Sequence, residues 1–96
     1  MSDRSSPITL KREFEILNQY GIHARPAAMF VKTAQRFASD VFVEKGENRV
    51  SGKSIMGLMT LEASRGSRLC ITVEGKDAEE ALDALEALIL RKFDED

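Results

Sequence analysis

The chain has 96 residues, 43% hydrophobic and 31% charged with both signs mixed, which fits one compact domain with a single core and excludes a disordered chain. A net charge of -2 supplies no basic field for nucleic acid. One cysteine, Cys70, excludes an internal disulfide framework, and one histidine, His23, leaves no ligand cluster for a protein-only zinc site, so neither metal nor cofactor is expected.

Residues 1–10 are serine-rich and aperiodic and read as a flexible lead-in, without the apolar core of a secretory signal. No run approaches the length of a membrane span, so a cytoplasmic location is expected. The domain proper is expected over 11–92. "KREFEILN" (11–18) alternates as a strand with Phe14 and Ile16 on one face, and "QYG" turns the chain. From Ala24 to Phe37 the period becomes helical, with Ala27, Phe30, Val31, Ala34 and Phe37 as the buried stripe. "SDVFVEK" (39–45) is a strand, "GEN" a turn and "RVS" (49–51) a short returning strand. "SIMGLMTL" (54–61) is a short apolar helix, and "SRLCITVE" (67–74) a strand with Leu69, Ile71 and Val73 on one face. A final helix carries Ala78, Ala81, Leu82, Leu85, Leu88 and Ile89, with Asp77 and Glu80 at the spacing of a capping box. "FDED" (93–96) closes the chain as an acidic tail. The order β-α-β-β-α-β-α predicts an α+β fold: a four-stranded antiparallel sheet with three helices on one face.

The lone histidine stands in "GIHARPA", at the start of the first helix. Backbone N–H groups there lack intrahelical partners, and the helix dipole adds partial positive charge, so an anion such as phosphate is favoured. Pro26 falls in the first turn, where its missing N–H costs nothing. Arg25 brings a planar fork of donors that matches phosphoryl oxygens. Neutral imidazole is a nucleophile, and nearby positive charge opposes its protonation. A phosphoryl group on His23 would find its charge held by the same donors, the main requirement of phosphoryl transfer. Spacing alone leaves open that His23 only caps the helix.

"GKSIMGLM" (52–59) has the same logic. Ser54 is placed as an N-cap. Its "GKS" lacks the earlier glycine of a phosphate-binding loop, since Glu47 stands there, so nucleotide binding is rejected. If Leu58 and Leu61 face the core, Ile55, Met56 and Met59 lie on another side, and an exposed apolar patch marks a binding surface. The alternative is a tilted helix that buries all five. Arg25, Ala28, Met29 and Lys32 lie off the buried stripe of the first helix and could meet an apolar, acidic partner.

With these two motifs in register, residues 11–92 strongly resemble HPr, the histidine-containing phosphocarrier of the bacterial phosphoenolpyruvate-dependent phosphotransferase system. The resemblance implies an open-faced β-sandwich. It implies phosphorylation of His23 on Nδ1 by phosphorylated enzyme I, with Arg25 as the arginine of that site, and onward transfer to a IIA domain. It implies that Ser54 matches the serine modified by HPr kinase/phosphorylase, and that Ile55, Met56 and Met59 match the docking patch for partners. "LNQYGIHARPA" and "FDED" also resemble the nitrogen-related paralogue NPr, which leaves the sugar and nitrogen branches both open. The expected protein is a monomeric carrier without turnover of its own. The alternative is a regulatory module that docks a transcription regulator through Ser54 and the methionine patch. A stand-alone enzyme is disfavoured, since no second acid or nucleophile clusters with His23.

Overall fold

A computed structural model describes residues 8–95. Four strands, β1 (Thr9–Glu15), β2 (Asp40–Lys45), β3 (Asn48–Ser51) and β4 (Arg68–Glu74), alternate with three helices, α1 (Ala24–Ala34), α2 (Ile55–Thr60) and α3 (Ala78–Leu90). The sheet is antiparallel throughout, in the order β1-β4-β2-β3. The expected class and element order are therefore observed.

Period-two alternation sets the two sheet faces. Phe14, Val41, Val43, Leu69, Ile71 and Val73 are buried beneath the helices. The opposite face carries Lys11, Glu13, Phe42, Glu44, Cys70 and Thr72, with Arg49 stacked 4.2 Å from the Phe42 ring centroid. β4 is central and is the most buried strand, so even Thr72 on the open face is buried. The helical stripes complete one core: Ala27, Phe30, Val31 and Ala34 from α1, Leu58 from α2, and Ala78, Ala81, Leu82, Leu85, Leu88 and Ile89 from α3.

Four expectations need correction. β1 begins at Thr9, so Thr9 and Leu10 belong to the sheet rather than to a lead-in; residues 1–7 lie outside the described residues. α1 ends at Ala34, and Phe37 packs half-buried against the core from the turn that follows. That turn is held by Lys53, whose Nζ donates to the Phe37 carbonyl at 2.9 Å. Asp77 does not cap its own helix: its carboxylate accepts from the backbone N–H groups of Ala38 (2.9 Å) and Ser39 (3.0 Å) and from the Ser39 hydroxyl. Finally, Phe93 is fully buried rather than part of a solvated tail, because the chain turns back after α3 to place its ring against the core.

Candidate functional site

His23 is the N-cap residue of α1, and its carbonyl accepts the first helical bond, from Ala27 N–H, at 2.9 Å. Pro26 occupies the first turn and has no N–H, so the Ala24 and Arg25 amides are the donors left at this end. The loop before the helix is fixed by a short chain of bonds. Ile22 N–H donates to the Ala63 carbonyl at 2.8 Å, Gly21 N–H to the Asn18 carbonyl at 3.2 Å, and Asn18 Nδ2 to the Gly21 carbonyl at 2.8 Å. Asn18 is completely buried, a polar side chain spent on holding this turn.

The imidazole makes no capping bond, which removes the capping alternative for His23. Its Nε2 lies 2.9 Å from Oε2 of Glu95, whose other oxygen accepts from Asn18 Nδ2 at 3.0 Å. Tyr20 presents a ring edge-on, 6.5 Å between centroids. The side chain of His23 is 42% exposed and that of Glu95 is 15% exposed, so the ring faces solvent while its anchor is mostly covered. The ring lines one open hollow with Tyr20, Ala63 and Ser64, and Tyr20 also borders a second, bounded by Arg25, Asp94 and Glu95.

Arg25 is exposed and makes no ion pair among the described residues. The charge that touches the ring is therefore negative, where the sequence places a positive one. Glu95 is the residue that sequence reading misses. Its only signal is membership of an acidic terminal run, which is ordinarily solvated.

Ser54 is the N-cap of α2, and its hydroxyl accepts from Gly57 N–H at 2.9 Å. It stands at the opposite end of α2 from Ala63, the residue bonded to the His23 loop. Lys45 Nζ donates to the carbonyls of Leu61 (3.2 Å) and Glu62 (3.1 Å) and so closes the far end of α2. Leu58 and Leu61 are buried, while Ile55, Met56 and Met59 are 40%, 73% and 39% exposed, so the tilted-helix alternative does not hold. On α1, Ala28 and Lys32 are exposed and Met29 is half-buried against the core. α1 and α2 pack against each other, which puts the two strips on neighbouring elements. Among the described residues no group of three or more histidine, cysteine, aspartate or glutamate side chains could hold a metal ion, and no helix is long and apolar enough to cross a membrane.

A sheet covered by helices on one face thus carries an open histidine at the start of its first helix. A family model described as the PTS HPr component phosphorylation site matches residues 10–91, and the chain belongs to the HPr family of the phosphotransferase system. It is 46% identical over 86 residues to the phosphocarrier protein HPr of Neisseria meningitidis, covering 90% of this chain and 97% of that one. It is 38% identical over 86 residues to the phosphocarrier protein NPr of Shewanella violacea, covering 90% and 94%. The crystal structure of HPr from Thermoanaerobacter tengcongensis superposes with a TM-score of 0.87 at 48% identity, over 91% of this chain and 98% of that one.

Proposed function

We propose that this protein is a phosphocarrier that accepts a phosphoryl group on His23 from phosphorylated enzyme I and passes it to a IIA domain. The observation that carries the reading is the His23 ring itself: exposed at a helix N-terminus, excused from capping, and held at Nε2 by the mostly covered Glu95 carboxylate. The amides of Ala24 and Arg25, with the Arg25 guanidinium, are the donors that would take the phosphoryl oxygens. The open hollows beside the ring admit a partner's surface more readily than they enclose a small substrate. This favours a carrier without independent turnover over an enzyme. Transfer to successive partners is best served by a cytoplasmic monomer with modest affinities.

The exposed Ile55, Met56 and Met59, with Ala28, Met29 and Lys32 on α1, form the docking surface in this reading. Ser54 is the regulatory position, open to a kinase of the HPr kinase/phosphorylase type. Phosphate there sits at a helix start and would place negative charge beside the docking patch. Transfer from enzyme I would weaken.

The test is phosphoenolpyruvate-driven labelling by enzyme I, read by intact mass before and after mild acid. An acid-labile phosphate that disappears in His23→Ala is expected. Absence of phosphate under conditions that label a known HPr would sink the reading. The exposed methionine patch next to the capping Ser54 favours a second possibility, a regulatory binding module that docks a transcription regulator through Ser54 and that patch. Under that alternative, regulator binding would fail with Ser54→Ala and persist with His23→Ala, the reverse of a carrier.

A further inference from the structure

α2 has its C-cap at Leu61, and the next residue, Glu62, has φ of 51°. That left-handed position after a helix is the ordinary place of glycine, because a Cβ is strained there. A carboxylate also carries the wrong charge for it, since it stands beside the unpaired carbonyls of a helix C-terminus. Two local preferences are therefore overridden at one residue. The backbone is held in this state by Lys45, whose Nζ donates to the carbonyls of Leu61 (3.2 Å) and Glu62 (3.1 Å). The Glu62 side chain is exposed and makes no ion pair among the described residues.

Strain that returns nothing to the fold points to the surface the residue faces. Glu62 lines the same open hollow as His23, with Tyr20, Ile22, Ala63 and Ser64. Tyr20 is 73% exposed, and its ring stands nearly perpendicular to that of His23, at 83°. The hollow beside the imidazole thus has an open aromatic ring and an unpaired carboxylate in its wall. Together these two groups select a cation. A guanidinium suits both, because it stacks on the ring and pairs with the carboxylate through two N–H bonds.

We propose that this hollow receives an arginine side chain of the protein that donates phosphoryl to His23, held between Tyr20 and Glu62. The proposal rests on the carrier reading and names the partner chemistry that reading needs at the ring. A guanidinium seated there is a cation beside the imidazole, where the charge of the phosphoryl oxygens is carried. It also divides recognition in two. The α1–α2 patch supplies apolar contact, while Glu62 sets the charge a partner must bring to reach the ring and repels one that brings an acid.

The test compares two donors on the full chain: phosphorylated enzyme I, and phosphoramidate, a small donor with no side chain to insert. Labelling of His23 is followed by intact mass, and the quantity read is the ratio of the enzyme I rate to the phosphoramidate rate. Glu62→Gln and Tyr20→Ala should each lower that ratio roughly tenfold, the scale of one charge-assisted hydrogen bond or one desolvated cation–aromatic contact. Tyr20→Phe, which keeps the ring, should keep most of the ratio. Glu62→Gly should lower the ratio while raising the thermal midpoint, since glycine relieves the left-handed backbone. A ratio that Glu62→Gln leaves at the wild-type value overturns the proposal even if Tyr20→Ala lowers it, because the occupant is then not a cation. Equal losses with both donors overturn it too, since the residues would then act on the ring itself. If enzyme I does not label the wild type, the carrier reading fails and the proposal falls with it. A labelled wild type with unaltered ratios in the variants removes the proposal alone.

Discussion

At Gly21 the backbone has φ of 69°, and an added Cβ would lie 2.3 Å from the Ala63 carbonyl oxygen. That oxygen accepts the Ile22 N–H, one residue before His23. The site thus depends on a backbone approach that no side chain permits. Gly21→Ala is expected to cost about 2 kcal/mol through strain and overpacking, visible as a lowered thermal midpoint. It should also slow labelling of His23 by more than the stability loss explains, because the Ile22–Ala63 bond sets where α1 begins. Labelling at a temperature where the variant remains folded separates the two effects. Ser54 differs in kind. Its hydroxyl already holds the first turn of α2, so its presence has a structural reason whether or not a kinase acts there.

Among the elements, α3 joins the sheet through two polar anchors. Arg12 on β1 pairs with Asp83 and Glu86 on α3. Asp77, just before α3, ties that corner to the turn preceding β2 through Ala38 and Ser39. The Ser39 hydroxyl, with the Ala38 N–H, holds the Asp77 carboxyl below its ordinary value of 3.8. A carboxyl lowered on folding stabilises the fold above its ordinary value, and the contribution is lost as pH falls through the lowered one. Asp77→Asn should therefore lower the thermal midpoint at neutral pH, and the difference should close as the pH drops below the ordinary carboxylate range. A difference that persisted unchanged into strong acid would contradict this account. Sequence spacing gave Asp77 to its own helix, since a capping box is a local pattern. The bond it makes instead spans 38 residues to Ser39.

Over the whole molecule, the helical layer divides its work between core and surface. α2 has six residues, and it buries Leu58 while leaving Met56 73% exposed. A helix this short has little propensity of its own, so packing through Leu58 and Leu61 holds it and leaves the other side exposed. Met56→Glu should leave the thermal midpoint within the range of ordinary surface changes, about 0.5 kcal/mol. It should slow phosphoryl transfer from enzyme I roughly tenfold, the effect of losing one central apolar contact. Single-turnover labelling checks this, and an unchanged rate would remove Met56 from the docking surface.

Periodicity and local spacing were enough for the seven main elements, the buried stripes, the capping serine and the His23–Arg25–Pro26 helix start. Each of these depends on residues within a few positions of one another. The tertiary structure alone decided that β4 lies between β1 and β2, that Asp77 serves a distant loop, and that Phe93 enters the core. It alone brought Glu95 to Nε2 of His23. These outcomes depend on contacts between residues tens of positions apart, and a one-dimensional pattern carries no information on which distant groups closure of the core will bring within hydrogen-bond reach.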